Sequence, residues 1–153
     1  MVIDNQLETI FARLRKTADF AETDFSDVNA TSSDGDNALH CVVRWGDLAA
    51  AKALIDAGIE VNKAGDLGYT PLHVACMKGN AEAAKLLVDR GADIFALSEG
   101  DTPFTTARRG GHDNICDLLV PLMQEVQKRD PKVWVRARIG QLQREISLLE
   151  KKL

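Results

Sequence analysis

The chain has little from which to build a catalytic or metal centre. It carries three histidines and three cysteines in 153 residues. Cys41, Cys76 and Cys116 lie far apart, and no pair has the Cys-x-x-Cys spacing of a zinc or redox site. An odd number of thiols, with no basic head and apolar run at the N-terminus, reads as reduced core cysteines in a cytoplasmic protein. There is no run of about 18 apolar residues, so no membrane span is expected. No glycine precedes Lys-Ser or Lys-Thr as in a phosphate-binding loop, and neither Gly-x-Ser-x-Gly nor His-Glu-x-x-His occurs. The net charge of −4 argues against general nucleic-acid binding. These absences predict a non-enzymatic protein with no cofactor and no metal.

What is present is a repeat. Hydrophobic residues are 45% and charged residues 27%, an ordinary globular balance. Asn37-Ala38-Leu39-His40, Thr70-Pro71-Leu72-His73 and Thr102-Pro103-Phe104-Thr105 stand about 33 residues apart. Gly35, Gly68 and Gly100 keep the same step, as do Gly46, Gly79 and Gly111. Within a unit, Thr70 supplies a capping hydroxyl and Pro71 sits at the first helical position, where its missing N–H costs nothing. Gly79 suits the left-handed end of that short helix. Asn80 caps a second helix, Ala81 to Arg90, whose Ala83, Ala84, Leu86, Leu87 and Val88 form a broad apolar face. Gly91 ends it.

Gly68-Tyr69-Thr70-Pro71-Leu72-His73-Val74-Ala75, followed by Gly91-Ala92-Asp93, resembles the ankyrin-repeat family almost in full. The resemblance covers roughly Asp27 to Leu119. It implies an all-α solenoid of about three helix-turn-helix units joined by hairpin-like loops. The units divide as 1–31 for an N-terminal cap, 32–64, 65–96 and 97–129 for the repeats, and 130–153 for a C-terminal amphipathic helix. The outer units depart from the pattern. The first has Asn37-Ala38 for Thr-Pro, and the third has Thr105 for histidine and an arginine, Arg108, where a small residue is usual. Pro121 is expected to kink or restart the last repeat helix. His40 and His73 take the structural role of the family's histidine, and His112 opens a helix.

The two ends differ in kind. Asp4 is expected to cap a helix through about Lys16, with Ile3, Leu7, Ile10, Phe11 and Leu14 at helical spacing. Phe20 and Phe25 anchor the segment that follows. At the other end, Asp130-Pro131 starts a helix. On it Val135, Ile139, Leu142, Ile146, Leu149 and Leu153 follow heptad steps. This tail carries an excess of positive charge over an acidic body. Three fates are open to it: it folds back and seals the last repeat, it self-associates through Val135, Ile139, Leu142, Ile146 and Leu149, or it docks to a partner or an anionic surface. In a self-association, a parallel pair sets Glu145 against Glu150, so an antiparallel pair is favoured.

The family resemblance implies a concave binding face made of loop tips and first helices. In this chain those positions are Ser33, Asp34, Asp36, Arg44 and Trp45; Asp66, Leu67, Tyr69, Met77 and Lys78; and Ser98, Glu99, Asp101 and Arg109. Trp45, Tyr69, Met77 and Arg44 are of the types enriched at interface centres. The acidic tips suit a protein partner with a basic surface. The expected function is therefore a protein-interaction module acting as adaptor or stoichiometric inhibitor. An immunity-type protein that neutralises a toxin and a homo-oligomer built on the tail helix are the alternatives.

Overall fold

The computed structural model describes residues 4–152. Those residues form eight α-helices, two 3₁₀ turns and no strands. Helix α1 runs Asn5–Leu14, and Ile3, expected on its apolar face, lies outside the described residues. Three helix pairs follow: α2 Ala38–Trp45 with α3 Leu48–Asp56, α4 Pro71–Lys78 with α5 Ala81–Asp89, and α6 Pro103–Arg109 with α7 Asp113–Arg129. Helix α8 spans Val133–Glu150. Inner helices α2, α4 and α6 stack in sequence, and outer helices α3, α5 and α7 stack behind them. Helix α1 packs against α3 as α3 packs against α5, so the cap takes the place of an outer helix with no inner partner.

Local chemistry dictates each pair. Asn37, Thr70 and Thr102 cap α2, α4 and α6 by accepting the backbone N–H three residues on. In the first two units a histidine closes the box: the Asn37 N–H donates to His40 Nδ1 at 3.1 Å, and the Thr70 N–H to His73 Nδ1 at 3.2 Å. With Nδ1 accepting, the proton belongs on Nε2. From there His40 reaches the Tyr69 carbonyl at 2.9 Å, and His73 the Asp101 carbonyl at 3.1 Å. Each imidazole thus staples its unit to the next. Thr105 replaces the third histidine, and its hydroxyl stays within its own cap, 3.1 Å from Thr102 Oγ1.

Gly79 shows why the helix ends need glycine. Its φ is +70°, and a Cβ there would lie 2.5 Å from Cε1 of His112. His112 opens α7 by laying its ring in that space, and its side chain makes no capping bond.

A continuous core runs through the stack from Leu7 to Leu119. Phe11, Phe20 and Phe25 seal its N-terminal end. The Phe11 and Phe25 rings stack at 4.5 Å, and Phe20 follows at 5.7 Å. Cys41 and Cys76 lie in the core, where burial pushes their thiols up to about 11 and about 12. Cys116 is only half-buried, so two of the three expected core thiols are fully inside.

Two expectations change at the C-terminal end. Helix α7 continues through Pro121 for 17 residues instead of restarting at Leu122. Asp117, whose carbonyl loses its donor, is exposed along with Pro121, so water can take the place of the missing N–H. The tail helix does fold back, but it reaches the loop between the second and third units. Trp134 stands edge-on to Phe95 at 4.8 Å, and Arg144 donates to the Leu97 carbonyl at 2.8 Å. The tail's positive charge makes no ion pair with the acidic body among the described residues, where α8's salt bridge is the local one from Arg136 to Asp130.

Candidate functional site

The loop tips are set by tight turns. Gly68 and Gly100 have φ of +80° and +91°, and the residues before them, Leu67 and Glu99, are also left-handed at +52° and +50°. Two consecutive left-handed residues make the hairpin-type turn that Asn-Gly or Gly-Gly would adopt without strain. The Ser98 hydroxyl donates to the Leu67 carbonyl at 2.8 Å and ties adjacent tips. Ser98 is therefore buried in the scaffold rather than offered to a partner.

Leu67 combines two costs. It is a bulky residue in a conformation that disfavours a Cβ, and it is 60% exposed. Strain at an exposed apolar tip is a feature that binding sites retain. Leu67→Gly is expected to raise stability by about 0.5–1 kcal/mol, since it relieves the left-handed strain and pays back part in chain entropy. A lower urea midpoint would show that the leucine side chain holds the tip.

The first helices carry a second repeated pairing. Asp36 and Arg44, eight residues apart, meet at 3.1 Å. Asp101 and Arg109, at the same separation, meet through both guanidinium nitrogens, at 2.6 and 3.0 Å. In the middle unit Tyr69 and Met77 occupy these two positions. Tyr69 stands edge-on to His73 at 5.6 Å, and Met77 is 46% exposed. The face therefore has an apolar window framed by an ion pair on either side. A hollow of about 210 Å³ opens there, walled by Asp36, Arg44, Asp66, Tyr69, Met77 and Lys78 over the buried Val74.

The candidate residues fall into separate places. Asp36, Arg44, Asp66, Tyr69, Met77 and Lys78 come together around the hollow. Asp34, Leu67 and Glu99 border another groove, with the last turns of α8 opposite them. Trp45, 38% exposed, has the Arg13 guanidinium 4.8 Å over its ring, and the same arginine bonds Asp47 at 2.5 Å. The indole is thus partly covered by the N-terminal cap. Asp36 is mostly spent inside the scaffold: besides Arg44 it accepts the Asp66 N–H at 3.0 Å. With Asp36 and Asp101 each neutralised by an arginine of the same unit, the exposed negative charge of the tips reduces to Asp34, Asp66 and Glu99. Sequence reading missed Val74 as the floor of the hollow and Arg13 as the cover of Trp45. The hollow takes its walls from two units, and Arg13 reaches Trp45 from the cap, so neither is legible from residues close in sequence.

No group of three or more His, Cys, Asp or Glu side chains among the described residues is placed to hold a metal ion. Nor is any described helix long and apolar enough to cross a membrane. His40 and His73 sit with their ring nitrogens bonded and their pKa values lowered by burial, His73 to about 4. They are neutral structural groups at pH 7.

No curated protein matches the chain. The family model described as ankyrin repeats (3 copies) matches residues 3–98, more than half of the chain. The match takes in the N-terminal cap and the first two helix pairs. The third pair continues the stack beyond it with the same threonine cap, N1 proline and incoming histidine staple. Ankyrin repeats generally mediate protein–protein interaction, and this chain belongs to the ankyrin-repeat family.

Proposed function

We propose that this protein binds a protein partner through the face lined by α2, α4 and α6 and their loop tips, and that it acts without catalysis as an adaptor or stoichiometric inhibitor. The observation that carries the reading is the apolar window of Tyr69 and Met77 between the Asp36–Arg44 and Asp101–Arg109 ion pairs. A binding site is favoured where large, weakly hydrated side chains stand among polar ones that exclude water. The two ion pairs hold their arginines in place before binding, so little side-chain entropy is lost on docking. An apolar or aromatic side chain of the partner enters the window, and its basic groups meet Asp34, Asp66 and Glu99. The same reading puts the protein in the cytoplasm, which suits its odd number of cysteines.

Tyr69→Ala/Met77→Ala is expected to weaken partner binding by about 2 kcal/mol, roughly thirtyfold, with the fold unchanged. The check is affinity capture from the native host, then calorimetry with the partner it identifies. Lys85→Ala, on the outer helix α5, serves as the neutral control. A partner held equally by the double variant would move the site off this face.

A further inference from the structure

Helix α8 has two apolar stripes, and the array covers only one. Val133 and Ala137 pack on the core, Trp134 meets Phe95, Gln141 is buried, and Arg144 reaches the Leu97 carbonyl. The opposite stripe is Val135, Ile139, Leu142, Ile146 and Leu149, each 41–62% exposed. Its steps of four and three are those of a coiled-coil seam. A helix whose only task was to seal the array would turn that seam inward. Here the seam points away from the body that holds the helix, so a second helix can lie along it without displacing any contact to the loops.

We propose that the seam is the interface with a second copy of this chain, paired antiparallel about a two-fold axis between Gly140 and Gln141. The flanking charges select this occupant and this register. In a parallel pair Glu145 faces Glu150 of the second copy, which is repulsive. In the antiparallel register that layers Ile139 on Leu142 and Val135 on Ile146, Arg138 of each copy flanks Glu145 of the other. The two-fold axis forms that ion pair twice. Arg138 and Glu145 are both exposed and lie along one edge of the seam, joined within the helix through Gln141 at 2.7 Å on each side. The register one heptad along, with Ile139 on Leu149, sets Glu145 against Glu145 and Arg138 against Lys152, so it is disfavoured. In the favoured register Leu149 covers the aliphatic stem of Lys132. The seam from Val135 to Leu149 is about 21 Å long, so the dimer is a reversible one that forms with concentration.

Sedimentation velocity of the full chain over a hundredfold concentration range is the test. A rise from monomer to dimer mass is expected for the wild type and none for Ile139→Glu/Ile146→Glu. The substituted side chains are exposed, so the circular dichroism of the array should be unchanged. Arg138→Glu should weaken the dimer at least tenfold, and Arg138→Glu/Glu145→Arg should restore it. For register, in a Cys116→Ser background, Ile139→Cys mixed with Leu142→Cys should give a mixed disulfide, while neither alone should cross-link. A wild-type monomer at every concentration, a dimer that survives Ile139→Glu/Ile146→Glu, or a self-linked Leu142→Cys would each overturn the proposal.

Discussion

Between pH 7 and about pH 4 the protein is expected to lose several kcal/mol of stability, and His73 accounts for a large share. Its ring is fully buried, and burial lowers its pKa from 6.5 to about 4, against weaker opposing contributions from the Asp101 carbonyl and nearby carboxylates. The unfolded chain therefore takes up a proton at this residue while the folded one still refuses it. The stabilisation is complete above pH 6.5 and is lost as the pH falls towards 4. The size is about 3 kcal/mol for a shift of this order. His40 is buried in the same setting with its pKa shifted in the same direction, so it adds to the loss. Protonation also spoils the cap, because the charged ring has no lone pair on Nδ1 to accept the Asn37 or Thr70 N–H. Urea midpoints at pH 7.5, 6, 5 and 4.5 will trace the slope. His73→Gln should flatten it over this window while lowering stability at neutral pH. An equal slope in wild type and variant would remove the imidazole from the account.

Phe25→Ala is expected to cost about 3–5 kcal/mol, a large part of the 5–15 kcal/mol of a typical domain. Phe25 is 1% exposed and lies between Phe11 and Phe20, with the Arg15 guanidinium 5.5 Å from its ring. It ties the irregular segment after α1 back onto α1. Without it the cap loosens, and the apolar ends of α2 and α3 come into contact with water. A solenoid with an uncapped end is both less stable and prone to associate through it. Denaturation should show the loss directly, and limited proteolysis should cut first between residues 15 and 30. A cost below about 1 kcal/mol would mean that Phe11 and Phe20 close the gap by themselves.

The parts that were legible in the sequence are those decided by neighbours three or four residues apart. Thr70, Pro71 and His73 make a helix start that needs nothing from the rest of the chain, and Gly79 ends it. Asp4 capped α1 as expected by accepting the Leu7 N–H. The rest depended on who stands opposite. Two apolar stripes run along α8, and periodicity cannot say which is covered. The answer came from Phe95 and Leu97, some 40 residues earlier in the chain. Pro121 stays within its helix at a place where both it and Asp117, whose carbonyl it orphans, are exposed. On the face proposed for binding, the repeat register placed Tyr69 and Met77 side by side. It did not reveal that Asp36 is committed to the backbone of the next loop, or that Arg13 covers Trp45.

The returning tail also bears on the order in which the molecule assembles. An array whose units touch only their neighbours has low contact order, and it can grow or fray one unit at a time. The last staple here runs from His73 to Asp101, and Thr105 passes none onward, so the third unit is held from one side only. Arg144 closes back on Leu97 across 47 residues of chain. Closing that contact before α6 and α7 fold carries the entropy cost of a long unstructured loop, so its formation is favoured once they are in place. Its closure entropy is therefore paid late, and the bond then makes release of the tail a step that must precede fraying of the unit behind it. The C-terminal half of the stack becomes one kinetic unit, latched last and opened first.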